Sequence, residues 1–480
     1  MNSTHFGTAS GATRPSSQAN SHAVFLHTGY RTAGTWLWSC FRQLDTVTAY
    51  YEPLHEMLAT IDAAKLASST ADSWHSGHPA LDMPYFQEFA HLLQPVDGAA
   101  DSAASSGSVP GMPGYERRFA VDRFDGATPD GAEQMKAYLN HLIRTAHQQG
   151  RVPVFKFCRS LGRLRWFRAA FPEAAHIVVE KNPISQWQSC WQLFAQHRNP
   201  HFVAVPLAVL SMNRDVPLVR QTLEALRIEL PVMPAPLAGA AGEAPATFEA
   251  CIDFFKDHVQ AISPVQAYRG FVAHWLLTLR DAATQADAIF DCDLAARSPA
   301  YLASAERWLE ELTGLTPSLG TVRRDGTSDR GCGFDPLEGL QVHLDASRLG
   351  RDLVRNGSVE ADALSLWTSK LAQATQVMAF GAAANWPRAE MPDGRATRMV
   401  DVALIDGAGI DAVLHSELAA AQAALADARS ELARVQNSPL WRVWGPLRKL
   451  YGAKRRRSAR QALRSRAAAA TRQSEGKVSA

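Results

Sequence analysis

The chain has 480 residues, 46% of them hydrophobic, which is enough to build one large core or two of medium size. Formal net charge is +2, but ten Lys and Arg with no acid lie between Arg442 and Arg466, leaving 39 of the 49 basic residues against 47 acidic ones elsewhere. An acidic body argues against a nucleic-acid partner, and the scattered cysteines, with no C-x-x-C pair, argue against both a metal cage and a disulfide framework. Met1–Ser21 is polar and lacks the apolar stretch of a secretory signal, so residues 1–21 read as a disordered leader. No run of about 18 apolar residues marks a membrane span, and a cytoplasmic location is expected.

Ala23–Leu26 is a short apolar strand that stops at a turn-like segment, His27–Gly34, before a helix over Thr35–Leu44. Val47–Tyr51 and Val152–Phe157 are the next strands. Leu161–Phe171 is helical, His176–Glu180 is a fourth strand and Ile184–Phe194 a further helix. Ala288–Cys292 and the amphipathic Ser298–Leu312 repeat the pattern. Strands alternating with helices predict an α/β fold with a parallel sheet covered on both faces. Leu93–Gly114, Leu230–Ala246 and Thr321–Gly333 read as surface loops, and the body, residues 22–400, ends between about 390 and 405. Leu414, Leu418, Ala421, Leu425, Ala428, Leu432 and Val435 then form a heptad seam within residues 411–436, which predicts a coiled coil and a homo-oligomer or, equally, one surface helix packed on the body.

The segment His27-Thr-Gly-Tyr-Arg-Thr-Ala-Gly-Thr-Trp36 carries chemistry. Small residues between a strand and a helix let backbone N–H groups approach a phosphate, and the helix N-terminus favours negative charge. Gly29 and Gly34 fit the glycine spacing of a nucleotide P-loop, but Thr35 and Trp36 stand where Lys and Ser or Thr should follow, which counts against an ATPase or GTPase. The cation is Arg31, inside the loop. A second element follows the fourth strand. Lys181-Asn-Pro183 leads into a helix, and Ser189 lies eight residues after Lys181. Pro183 can open that helix because its missing N–H is not needed there.

These two strings, in this order and each after a strand, resemble those of the sulfotransferase superfamily that uses 3′-phosphoadenosine 5′-phosphosulfate, closest in style to bacterial enzymes acting on glycans. The resemblance covers residues 22–195 and implies a P-loop-like sulfotransferase fold. It implies that Arg31, Thr32, Ala33, Gly34, Thr35 and Trp36 hold the donor's 5′-phosphosulfate, with Ala33 where glycine is common. It also implies that Lys181 and Ser189 hold the 3′-phosphate, with Lys where Arg is more usual, and that no metal takes part. Arg31 would stabilise charge on the leaving oxygen. A base must take the acceptor's proton. Glu52, at the end of the second strand and 21 residues after Arg31, is the first choice by the resemblance, and the second strand is expected beside the first. His55 is the runner-up. Lys156, Arg159 and Arg163 cluster after the third strand, where they can bind phosphates or an acidic acceptor, or pair as surface salt bridges. His75–Phe89 reads as an acceptor lid or as an ordinary packed loop, and Arg323–Gly333 is a candidate adenine-side segment.

Residues 437–480 form a basic amphipathic tail. Trp441, Trp444, Leu447, Leu450 and Tyr451 share one helical face beside Arg442, Arg448, Lys449 and Lys454–Arg457. Such a stripe suits an anionic membrane surface, and the segment is similar to tails of bacterial surface-polysaccharide enzymes. The expected partner is a glycan or lipid-linked acceptor at the inner membrane face. A non-catalytic nucleotide-binding scaffold recruited to a polysaccharide assembly, and a P-loop-type kinase, remain the alternatives.

Overall fold

Five strands carry unbroken or nearly unbroken apolar runs, the pattern of a sheet buried on both faces. In the computed structural model they are β1 (Val24–Thr28), β2 (Val47–Tyr51), β3 (Val152–Phe157), β4 (Ala175–Glu180) and β5 (Ala288–Asp291). All neighbours are parallel and the order is β2-β3-β1-β4-β5. The structure describes residues 23–74, 79–93, 111–125, 131–234, 247–320 and 331–380. The chain divides into two units, Met1–Ile410 and Asp411–Ala480, and every described residue belongs to the first. The leader, most of the three loop segments, the end of the body, the heptad seam and the basic tail lie outside the described residues.

The longer helices are α1 (Gly34–Arg42), α2 (Ala132–Gln148), α3 (Leu164–Ala170), α4 (Pro183–His197), α5 (His201–Met212), α6 (Pro217–Ala225) and α7 (Phe248–Ala261). After them come α8 (Pro264–Leu279), α9 (Pro299–Thr313), α10 (Pro336–Arg355) and α11 (Ala361–Phe380). Helices α4, α6, α8, α9 and α10 each begin with Pro, where its fixed φ helps and its missing N–H is not needed. Side-chain caps from Asn182, Ser263, Ser298 and Asp335 stand just before four of them. Among the described residues no helix is long and apolar enough to cross a membrane.

The two sheet faces are covered differently. Leu26, Tyr51, Val179 and Phe290 face α1 and α9, with Trp38 at 5.0 Å from Tyr51 and Trp308 at 6.1 Å from Phe290 between ring centroids. Phe25, His27, Tyr50, Phe155 and Phe157 face α2 and α3. Beyond α4 lies a second apolar core built from α4 to α8, α10 and α11. Its axis is α5, apolar all round and buried from Phe202 to Ser211. Gly270 of α8 lets that helix close on α5, since a Cβ there would sit 2.2 Å from Leu207 Cδ2.

Two expectations need correction. The second strand does not lie beside the first; β3 separates them. The strand also runs past Leu26 to Thr28, so the turn is only 29–33. Polar side chains hid that extension. His27 is fully buried in a hydrogen-bonded file: His176 Nε2 faces the Phe171 carbonyl at 2.9 Å, His27 Nε2 faces His176 Nδ1 at 3.1 Å, and His27 Nδ1 faces Ser160 Oγ at 2.8 Å. A carbonyl only accepts, so each Nε2 carries the proton, and Ser160 donates to His27. Thr28 donates to the Phe157 carbonyl at 2.9 Å. Both polar residues are thereby satisfied inside a strand.

Candidate functional site

In an open parallel sheet, ligands bind beyond the carboxyl ends of the strands, where successive helices leave on opposite faces. Here α1, which follows β1, covers the Tyr51 face, and α4, which follows β4, packs with Val178 on the other. The adjacent carboxyl ends of β1 and β4 therefore form the switch point. Both sequence-predicted phosphate elements, Arg31–Trp36 and Lys181–Ser189, lie there.

The first loop is shaped by its close approach to β1. Arg31 and Ala33 adopt left-handed backbone, at φ 64° and 62°, and Ala33 is the N-cap of α1. That conformation is the physical reason glycine would suit position 33. Gly34 is required by space, since a Cβ would lie 2.4 Å from Thr28 Cγ2. Thr32 is buried and its hydroxyl donates to the Gly29 carbonyl at 2.9 Å. Gln186 of α4 donates to the Tyr30 carbonyl at 2.5 Å. Thr35 hydrogen-bonds the Tyr51 phenol, and the Trp36 ring packs 6.1 Å from that of Phe290.

The two phosphate elements touch. Arg31 Nε donates to Ser189 Oγ at 3.1 Å, and its guanidinium lies 5.3 Å from the centroid of the Phe202 ring. Asn182 caps α4 by accepting the Ser185 N–H at 2.9 Å, and its own N–H donates to Asp293 at 2.6 Å. Trp275 Nε1 donates to the Lys181 carbonyl at 3.2 Å. Lys181 is half-buried, and its ammonium makes no hydrogen bond or ion pair with another described residue.

Glu52 reaches the same edge across the end of β3. Its backbone is also left-handed, at φ 45°, and its N–H donates to the Lys156 carbonyl at 2.8 Å, continuing the ladder. Its carboxylate accepts from Lys156 Nζ at 2.5 Å, from the Cys158 N–H at 3.0 Å and from Arg159 at 3.3 Å. Burial alone would raise the Glu52 pKa, but Lys156, Arg159 and Cys158 bring it down to about 2. Burial opposes the charge on Lys156, and the Cys158 sulfur and Glu52 overcome it, so that ammonium stays charged well above the usual lysine range. Lys156 also lies 4.9 Å from the Tyr51 ring centroid and 2.9 Å from Cys158 Sγ. A continuous path thus runs from Thr35 through Tyr51 and Lys156 to Glu52. His55 is kept neutral, its pKa driven to about 3 chiefly by burial, and its Nδ1 accepts the Met57 N–H at 3.0 Å.

Lys156 and Arg159 are ion-pair partners as one reading of the sequence had it, but buried rather than exposed. Arg163 is turned inward onto Asp122 and the Phe119 and Arg159 carbonyls. The end of His75–Phe89 is packed, whereas Pro79, Ala80, Asp82 and Met83 are exposed. Tyr85 and Phe86 are buried against Tyr51, at 4.8 and 5.6 Å between centroids, while 75–78 lie outside the described residues. Sequence reading missed Gln186, although it stands one helical turn before Ser189 and so shares its face. It also missed Lys370, the lone basic residue in the otherwise largely apolar α11. No family model, curated protein or solved structure matches this chain, so the meaning of the site rests on its own residues and geometry.

Proposed function

We propose that this chain is a sulfotransferase that moves a sulfuryl group from 3′-phosphoadenosine 5′-phosphosulfate to a hydroxyl of a glycan or lipid-linked sugar. The observation that carries this reading is the 3.1 Å contact between Arg31 and Ser189, which joins the loop after β1 to the helix after β4 at the switch point. One cradle then offers two anion subsites. The left-handed loop and the start of α1 take the 5′-phosphosulfate, and Lys181 with Ser189 takes the 3′-phosphate. The acceptor oxygen attacks sulfur in line. The bond from sulfur to the bridging oxygen breaks, and that oxygen leaves with its electron pair on the 5′-phosphate, where Arg31 balances its charge. The acceptor proton passes to Glu52, with His55 as the second candidate.

Glu52 at a pKa of about 2 is a weak base while Lys156 and Arg159 hold it. An arriving phosphosulfate competes for those two cations, and a carboxylate relieved of them becomes more basic. In this reading the donor itself prepares the base. The acceptor is met at the cytoplasmic membrane face, reached by the basic tail, and the heptad seam pairs copies of the chain.

The test is transfer of radiolabelled sulfate from the adenosine phosphosulfate to a cell glycan extract, with a chelator present. Labelled glycan is the expected result. Labelling from ATP carrying a γ-phosphate label, with magnesium supplied in place of the chelator, and none from the adenosine phosphosulfate, would make the chain a kinase. The tight Glu52 ion pairs favour a second reading, a nucleotide-binding scaffold without catalysis. Donor binding with no transfer to any extract would establish that one.

A further inference from the structure

Behind the Lys181 turn, at the carboxyl ends of β4 and β5, three carboxylates surround one buried ammonium. Lys370 of α11 is 3% exposed. Its Nζ contacts Glu180, lies 2.6 Å from Asp291 and is 3.8 Å from Asp293. The two aspartates also have work on the strand ends. Asp291 Oδ1 accepts the N–H groups of Asp293 and Leu294, both at 2.9 Å, and the Asp291 N–H donates to the Tyr301 hydroxyl at 2.8 Å. Asp293 accepts the Asn182 N–H at 2.6 Å and so fixes the turn that follows Lys181. Burial pushes the Glu180 pKa well above the ordinary carboxylate range and raises that of Asp293 as well, while the Lys370 ammonium favours the charged form of both. The other cations that feel Asp293 are Lys181 and Arg297.

An aspartate pair this close to Lys181 is a liability for an anion site. Without another cation, Asp293 would draw the Lys181 ammonium onto itself and repel an incoming phosphate. We infer that Lys370 is a positioning residue for the donor site: by neutralising Asp291 and Asp293 it holds Asp293 on the Asn182 N–H and leaves Lys181 to face the 3′-phosphate. The inference rests on the proposed 3′-phosphate role of Lys181 and Ser189. It adds that α11, almost two hundred residues further along the chain, sets the charge of that subsite.

The readout is the ratio of affinities for 3′-phosphoadenosine 5′-phosphate and adenosine 5′-phosphate, measured by calorimetry on the full chain. Only the 3′-phosphate differs, so a general loss of packing lowers both affinities and leaves the ratio alone. Lys370→Met should lower the ratio about tenfold, the scale of one uncompensated charge at short range in a partly solvated site. Adding Asp291→Asn restores the charge balance while Asn still accepts the two N–H groups at the cap, and the ratio should recover. Asp293→Asn tests the same idea with Lys370 in place. It keeps an acceptor for the Asn182 N–H, removes the charge that competes for Lys181, and should raise the ratio. A Lys370→Met protein with the wild-type ratio, no recovery in the double variant, or an Asp293→Asn ratio that does not rise each overturns the inference. A wild-type ratio near one would instead remove the 3′-phosphate subsite itself.

Discussion

Glu52 is 3% exposed and meets Lys156 at 2.5 Å and Arg159 at 3.3 Å. Removing its charge leaves two buried cations unbalanced, a loss of about 3–5 kcal/mol for a broken buried pair. Glu52→Gln should therefore lower stability by about that much in chemical unfolding, as well as abolish transfer. A Glu52→Gln protein as stable as the parent would show that the three contacts do not hold in solution. The acid dependence has a definite sign. The folded pKa, about 2, lies below the ordinary carboxylate value of 4.5. The stabilisation is thus complete above the ordinary value and is lost as pH falls towards 2, amounting to about 3 kcal/mol. The residue was legible in the sequence as a strand-end carboxylate near a cationic loop. Its partners were not, because Lys156 and Cys158 become neighbours only when β3 slides between β1 and β2.

The unit formed by β1, the turn 29–33 and α1 depends on Gly34 more than on the turn's hydroxyls. The Thr28 side chain that a Cβ at position 34 would strike is itself fixed by the Phe157 carbonyl and by Cys158, at 2.9 and 3.2 Å. Gly34→Ala must then push the start of α1 away from β1. The expected cost is about 1–3 kcal/mol, the range for overpacking. It should come with at least tenfold weaker binding of 3′-phosphoadenosine 5′-phosphate, since the N–H groups that would line the phosphate move with the helix. Gly331→Ala, with open space around it, should change neither quantity and serves as the control. Equal melting temperatures and equal nucleotide affinity for the two variants would refute the close approach. Elements with nearly unbroken apolar runs, such as β3 with Lys156 as its one charged member, and helices opened by a capping residue and Pro, such as α9, were legible from composition and turn chemistry. Helix α5 was not: it is apolar on every side, so no period separates it from a buried strand, and only the helices packed around it set its length.

The whole molecule is built around histidines that must stay neutral. Burial drives His274 and His343 to about 3 and His201 to about 4, and holds His27 and His176 below the ordinary value as well. His343 is typical of how they are used. Thr375 donates to the Leu371 carbonyl at 2.9 Å, so it can only accept from His343 Nδ1–H at 3.0 Å, and Nε2 accepts the Tyr268 hydroxyl at 2.6 Å. A second proton on that ring would put a charge in a buried site and force the Tyr268 hydroxyl to turn from donor to acceptor. In the unfolded chain the same rings titrate near the ordinary value of 6.5, so unfolding takes up protons once the pH falls below it. Each such histidine then removes about 1.4 kcal/mol per pH unit, until its own folded pKa is reached. Buried carboxylates work the other way: burial raises Glu180, Asp122, Asp293, Glu88 and Glu249 towards their neutral forms in the folded state. They lessen the slope, but they are fewer than the five histidines above and His55, so the histidines set its sign between pH 6.5 and 5. Urea midpoints should therefore fall steeply from pH 7 to pH 5.5. His343→Gln, which has no ring to titrate, should be less stable at pH 7 but should show a shallower fall. Midpoints independent of pH over that interval would mean that these rings are protonated in the native protein, and the hydrogen-bond directions assigned to them would then be wrong.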